Sequence, residues 1–411
     1  MTQKKVAILG AGFSGLTLAW ALTKKNISVE IFEAGAREGG MLGSKFDGVL
    51  IEQAANALLA SENVETLLND IGVKPVTAGF RSKKRWIYRD HPQKLPLRLS
   101  ELLSGALSFL RAKISNNLQP LPNETLAAWA VRVFNPAIRD YLISPAFQGV
   151  YGTKADALSA SLILKPLFEK SLRSKKGSLN GSISAESGMQ EIIDGLARYL
   201  TERGVIINKN VGITVAELTK SHSAVVVATS LENAKYALKE TAPIVSEQMS
   251  SVPMLPLATV TLKFSSTSRV QGFGCLFPAP ENFHALGVLF NSDIFPGRGD
   301  YSETWIISDV KSTDDNLLRA IAIDRKRMAG AEENPVAHHI RRWEKALPLY
   351  GKELEKVLVN APFSQGLISG VRLDESRSPL YLTGNYLGVI GLAKILDYNI
   401  RLSQRIEREI A

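Results

Sequence analysis

The sequence predicts an α/β protein. A Rossmann-like nucleotide-binding domain built on a parallel sheet is interleaved with an α+β substrate domain and a mostly helical insertion. Three observations carry this. Val6-Ala7-Ile8-Leu9 is a short apolar run of the kind buried on both faces of a parallel sheet. A G-x-G-x-x-G motif, Gly10 to Gly15, follows it at once. Buried-type strands return far along the chain, at 205–207 and 224–228, after a long helical stretch, so the first sheet draws on distant segments.

From Leu16 to Lys25 the apolar positions Leu18, Ala19, Ala21 and Leu22 suit a helix packed on that sheet, and Val29–Phe32 is the next strand. It ends at Glu33, 23 positions after Gly10. Each part has a physical role: Gly10 permits the tight turn, Gly12 lets backbone approach a pyrophosphate, and Gly15 lets helix pack on strand. The helix N-terminus offers free N–H groups to phosphates, while the Glu33 carboxylate accepts from ribose hydroxyls and opposes a 2′-phosphate, which argues against NADP.

Residues 41–60 predict two short strands and a turn before a helix at 62–71, and 80–97 predicts a basic hairpin. Over 98–118 the apolar positions Leu99, Leu102, Leu103, Ala106, Leu107, Leu110 and Ile114 share one helical face. Packing on the core is the plainer reading of such a stripe. With Arg98, Arg111 and Lys113 beside it, attachment to an anionic membrane surface is the other. Helical character continues through 124–147 and 159–173, and another amphipathic helix spans 190–200. Residues 251–310 are strand-rich, and 380–385 form a buried strand leading to a terminal helix started by Gly384 and Asn385. The implied division is nucleotide domain over 1–80, 186–240 and 356–411, substrate domain over 81–97 and 241–355, and insertion over 98–185.

Composition narrows the function. Of 411 residues 45% are hydrophobic and 22% charged, which fits folded domains and not a disordered chain. A single cysteine, Cys275, rules out a disulfide framework or thiolate metal cluster and suits a reducing compartment. The histidines His91, His222, His284, His338 and His339 show no ligand spacing, with the adjacent pair placed on different helix faces, so no metal is expected. No apolar run reaches the roughly 18 residues of a membrane span. The formal charge of +9 favours anionic partners, but the cations are dispersed, which disfavours nucleic acid.

Glu33-Ala34-Gly35-Ala36-Arg37-Glu38-Gly39-Gly40 resembles the E-x-x-x-R-x-G-G continuation of the flavin-binding amine oxidase superfamily, in which the Arg and paired glycines run along the FAD pyrophosphate. FAD is the cofactor this implies. The chain further resembles the protoporphyrinogen and coproporphyrinogen oxidases over nearly its whole length. Arg85-Trp86-Ile87-Tyr88 is similar to R-[FY]-[IL]-Y ahead of Leu95-Pro96, and Tyr141 to Gly152 is similar to the Y-L-I-x-P-x-x-x-G-V-Y block. Gly272 to Pro278 is similar to G-F-G-x-L-x-P, Leu286 to Pro296 to L-G-x-x-x-x-S-x-x-F-P, Trp343 to Tyr350 to W-x-x-A-[IL]-P-x-Y, and Gly384 to Val389 to G-N-Y-x-G-G/V.

The resemblance implies oxidation of a porphyrinogen to the porphyrin in haem synthesis, with protoporphyrinogen IX as first substrate, coproporphyrinogen III as alternative and dioxygen as acceptor. The flavin does the redox chemistry, so no protein group is assigned a catalytic role. Cofactor contacts fall on Gly10, Gly12, Phe13, Ser14 and Gly15, on Glu33 and Ala34, on Arg37, Gly39 and Gly40, on the backbone of Val211 at the adenine, and on Gly384, Asn385, Val389 and Gly391 at the flavin ring. Arg85 is the expected propionate partner, Leu276 and Phe295 the apolar walls, and Gly149 a point of close backbone approach. The expected location is cytoplasmic, peripheral on the cytoplasmic membrane face through 98–118 and 165–176, as monomer or homodimer.

Three segments depart from the pattern. Glu52-Gln53-Ala54-Ala55-Asn56 stands for E-x-G-P-N, Gly152-Thr153-Lys154-Ala155 replaces A-G-D-P, and Gly351-Lys352-Glu353 replaces a G-H. They leave open another amine oxidase or desaturase of the superfamily, or a flavin-bearing tetrapyrrole carrier without turnover.

Overall fold

Two sheets organise the computed structural model, which describes residues 4–169, 174–265, 270–330, 332–360, 363, 371–372 and 378–411. The first sheet has six strands in the order Ile206–Asn208, Ser28–Phe32, Lys5–Leu9, Ala224–Val227, Leu380–Leu382 and Val371–Arg372. The first five run parallel and the last is antiparallel. Val6, Ala7 and Ile8 and all of Ala224–Val227 are fully buried, as continuous apolar strands covered on both faces must be. Helix Phe13–Thr23 packs between helices Met189–Glu202 and Leu392–Ile410.

The second sheet has seven strands in the order Ala337–Pro348, Met254–Lys263, Ser302–Ile307, Ala285–Phe290, Gly274–Leu276, Arg85–Arg89 and His91–Gln93. All pairs are antiparallel except Gly274–Leu276 with Arg85–Arg89. Strand alternation sends Val260, Trp305, Val288, Cys275 and Tyr88 to one side, where they meet Leu317, Ile321 and Met328 of helix Asp314–Ala329. Thr259, Ile306, Gly287, Leu276 and Ile87 therefore share the other side. His338 and His339 lie on a strand here and not on a helix, so they separate by alternation across the sheet.

The insertion holds helix Leu99–Ile114, helix Leu126–Val133, Pro136–Ile138, a π turn Arg139–Ile143, helix Ser144–Tyr151 and helix Ala160–Phe168. The core reading of the 98–118 stripe is overturned. Leu99, Leu103 and Ile114 are 72%, 63% and 78% exposed, and Leu107 and Leu110 are exposed too. The face turned inward carries buried Gly105 and Ala112, and a Cβ on Gly105 would lie 2.2 Å from Ile138 Cδ1, so this side chain packs directly on the glycine. Arg89 fixes the helix start through a two-pronged contact with Glu101 at 2.7 and 2.9 Å. Of the expected helical and basic stretch that ends at 173–176, residues 170–173 lie outside the described residues.

The terminal helix starts at Leu392, not at Gly384. Tyr386 and Leu387 turn into the core, and Gly384 and Gly388 take positive φ, so the chain between strand and helix is a buried turn.

Candidate functional site

The nucleotide cradle is built where the first strand ends. Gly10 N–H donates to the Phe32 carbonyl at 2.8 Å, tying the turn to the neighbouring strand. Helix Phe13–Thr23 opens at Gly12 with no side-chain cap, which leaves its first amides to an incoming anion. Gly39 N–H donates to the Ala11 carbonyl at 2.9 Å, bringing the paired glycines against the motif. Gly39 has φ +107°, a conformation that side chains rarely adopt, and its neighbour Arg37 donates to the carbonyls of Leu42 and Gly40 at 2.9 Å each. Arg37 thus shapes this loop from its own carbonyls.

Glu33 accepts from the backbone of Ala11 at 2.8 Å and of Gly35 at 2.7 Å, one bond per oxygen. A carboxylate has about four acceptor positions, so two remain for ribose hydroxyls. Val211 N–H donates to the Glu33 carbonyl at 3.1 Å, which sets Val211 and exposed Ala34 beside the ribose end.

The second uncapped helix is Leu392–Ile410, with Gly391 at its N-cap and nothing within 4 Å of a Cβ built there. The turn before it, with Gly384, Asn385 and Val389, is held by the buried Tyr350 hydroxyl, which donates to the Asn385 carbonyl. Fully buried Asn399 joins the two helices by donating to the Ser14 carbonyl and the Thr17 hydroxyl, both at 2.8 Å. Two uncapped helix starts, an acid at a strand end and open space at Gly391 are what a dinucleotide needs, so these residues fit FAD.

On the second sheet Arg85 is exposed, stacks 4.5 Å over Phe273, and has no ion pair among the described residues. Leu276 shares its side of the sheet, and a Cβ on Gly149 would meet Leu276 at 3.0 Å, so helix Ser144–Tyr151 roofs this point. Phe295 has other surroundings. It is 2% exposed under the Arg298 guanidinium at 4.3 Å, beside a water-sized cavity of about 10 Å³ shared with Leu50, Glu52 and Ile294. Sequence reading missed Ile306, which strand alternation alone assigns to the face of Leu276, and Asn399, whose only signal is an amide within a terminal helix.

It also missed Glu52 as a cap. Its carboxyl accepts from Ser44 at 2.6 Å and from Met189 N–H at 3.1 Å, and faces Arg298 at 3.4 Å, so it caps helix Met189–Glu202 from the neighbouring hairpin. Burial outweighs the pull of Ser44 and Arg298 and pushes its carboxyl up from 4.5 to about 7. The unfolded chain then releases this proton first as pH rises. The contribution to stability is full below about 4.5 and is lost by about pH 7, on the order of 3 kcal/mol. Glu52→Gln, which cannot titrate, is expected to flatten the fall in unfolding temperature between pH 5 and 8; an unchanged slope would assign that fall to other groups.

Comparison with known proteins agrees with this geometry. The model of the family described as flavin containing amine oxidoreductase matches residues 13–391. The chain is 26% identical to the mitochondrial protoporphyrinogen oxidase of Nicotiana tabacum, over 96% of this chain and 93% of that one. It is 23% identical to the coproporphyrinogen III oxidase of Mycobacterium leprae over 100% of both. A crystal structure from Exiguobacterium sp. 255-15, provisionally assigned as a protoporphyrinogen oxidase, superposes with a TM-score of 0.75 at 18% identity over 100% of both chains. With the match running from the start of the first helix through the substrate sheet to the N-cap of the terminal helix, this protein belongs to the flavin-containing amine oxidoreductase family and is an FAD-dependent oxidoreductase.

Proposed function

We propose that the protein oxidises a porphyrinogen to the porphyrin. The observation that carries this is the face of the second sheet turned away from its core helix, where Arg85, without an ion pair among the described residues, stands beside Leu276 and Ile87 next to Gly149 of helix Ser144–Tyr151. An apolar floor with a cation at its edge suits a flexible apolar macrocycle bearing propionates. Bound FAD supplies the acceptor for two electrons at a time, so six electrons and six protons leave in three turnovers, with dioxygen as the final acceptor. The protein binds, orients and excludes water: Arg85 reads a propionate, Leu276 and Ile306 support pyrrole rings, and buried Phe295 holds Arg298 from below. The uncapped start of Leu392–Ile410 stabilises negative charge near the flavin ring.

Protoporphyrinogen IX is the first substrate, in line with the tobacco relative. Coproporphyrinogen III is the second reading, favoured by a further arginine described below. Anaerobic mixing of the FAD-loaded protein with each porphyrinogen tests both. Flavin bleaching with appearance of porphyrin fluorescence is the expected result, and a flavin that stays oxidised with both overturns the proposal. Arg85→Ala is expected to raise KM more than about tenfold with flavin content unchanged, the loss of one charge-assisted carboxylate contact. An unaltered KM removes Arg85 from the site.

We also propose peripheral attachment to anionic membrane through the exposed face of Leu99–Ile114. No helix among the described residues is long and apolar enough to cross a bilayer. Leu103, Leu107 and Leu110 can enter the headgroup boundary while Arg98, Arg111 and Lys113 face phosphates. Vesicles with anionic lipid are expected to float the protein at low salt. Leu103→Glu with Leu107→Glu weakens this more than about tenfold. No flotation of the wild type rejects the attachment.

A further inference from the structure

The face of the seven-stranded sheet that carries Leu276 holds a second arginine at its far edge. The registers align one transverse row: Arg341 opposite Thr259, then Ile306, Gly287, Leu276 and Ile87. Its neighbours point the other way. Ile340 packs into the core beneath helix Asp314–Ala329, and Arg342 pairs with Asp314 of that helix at 2.6 Å. Arg341 therefore shares the sheet face of Leu276, on which helix Ser144–Tyr151 and Gly152 cover Leu276 and Leu257, and Arg85 stands on the strand of Ile87 at the other end. Five strand spacings separate the two arginine-bearing strands, roughly 24 Å.

Arg341 is short of an anion. Its Nε is buried without a hydrogen-bond partner, and no carboxylate pairs with it among the described residues. The guanidinium lies 4.2 Å over the Trp343 ring, which orients its fork without neutralising it. Lys45 adds positive charge nearby. Burial first, then Lys45 and Arg341, hold His339 below the usual histidine range, against the opposing pull of Asp47. Arg341 is half-buried, and a guanidinium whose inner N–H has no acceptor favours a ligand that brings a carboxylate. The site is also tied to the glycine loop that would hold FAD. Trp343 Nε1–H donates to the Gln53 carbonyl at 3.1 Å, and Gln53 N–H donates to the Gly43 carbonyl at 2.8 Å, close after the paired glycines.

We propose that Arg341 is a second carboxylate-reading residue of the substrate face, so that a substrate carrying carboxylates on opposite sides of its macrocycle is held at both ends. This rests on the porphyrinogen reading and deepens it. A tetrapyrrole with a propionate on every ring meets Arg85 and Arg341 together. One whose two propionates sit on neighbouring rings meets one of them at a time.

The test uses the FAD-loaded protein, wild type, Arg341→Met and Arg341→Lys, with coproporphyrin III and protoporphyrin IX binding read by fluorescence quenching and KM read with the matching porphyrinogens. Arg341→Met is expected to weaken the four-propionate ligand about tenfold or more and the two-propionate ligand less than about threefold. Arg341→Lys, which keeps the charge but not the fork, falls between and reports on the site even if the Met variant loses flavin. Equal weakening of both ligands, or of neither, overturns the role of Arg341 while the porphyrinogen reading stands. Wild type that binds neither porphyrin and is bleached by neither porphyrinogen overturns that reading itself, and the proposal with it.

Discussion

Gly15→Ala is expected to give a chain that holds no FAD and is mostly insoluble. A Cβ at this position would sit 2.0 Å from the Gly10 carbonyl oxygen and 3.3 Å from Ile8 Cγ2. The first neighbour is backbone of the tight turn itself, so no side-chain rotation relieves the overlap. Helix Phe13–Thr23 must lift off strand Lys5–Leu9, which opens the most deeply buried part of the core and moves the uncapped amides away from the pyrophosphate. Adding one methylene to a packed core costs about 1–3 kcal/mol, and displacing backbone costs more, against a total stability of about 5–15 kcal/mol. Flavin absorbance per mole of soluble protein is the measurement. Gly212→Ala is the control, because nothing lies within 4 Å of its Cβ, and it should keep its flavin. Equal flavin in both variants would show that the helix does not need close packing on the strand.

Local pattern made the cradle legible, because its parts are neighbours in sequence: strand, glycine turn, helix and Glu33 lie within about thirty residues, as such units do. The parallel strand at 224–227 was legible because burial on both faces leaves an unbroken apolar run, and the short apolar run at 206–208 marked the edge strand although Ile206 is exposed there. The stripe from Leu99 to Ile114 shows the limit. Periodicity gives an apolar face but not its neighbour, and here the face turned inward carries Gly105 and Ala112, small residues that add little to a hydrophobic pattern. The start of the terminal helix was misplaced because Tyr386 and Leu387 satisfy a helical pattern and a buried turn equally well. Glu52 and Arg341 needed the fold. One caps a helix 137 residues away, and the other joins Leu276 only through the pairing of five strands.

Asn399→Leu is expected to lower stability by about 3 kcal/mol and to weaken FAD binding with it. The Asn399 amide is fully buried and serves three elements at once. It donates to Ser14 and Thr17 of the first helix, and its oxygen accepts from Thr383 at the end of strand Leu380–Leu382. Leucine has similar volume but satisfies none of these groups. Thr17 keeps its bond to the Phe13 carbonyl at 2.6 Å and the Ser14 carbonyl keeps its place in the helix ladder, whereas the Thr383 hydroxyl loses its partner and Thr17 loses the donor to its oxygen. Each group stranded this way costs about 1–3 kcal/mol. The effect reaches the cofactor because Asn399 sets the distance between two uncapped helix starts, one at the pyrophosphate end and one at the flavin ring. Unfolding temperature measured with and without excess FAD separates the two effects, since stabilisation by a ligand scales with its affinity. A lower temperature in both conditions with a narrower gap between them is the expected result. A lower temperature with the gap unchanged would make Asn399 a core residue only, and the helix starts would then be aligned by their contact with each other.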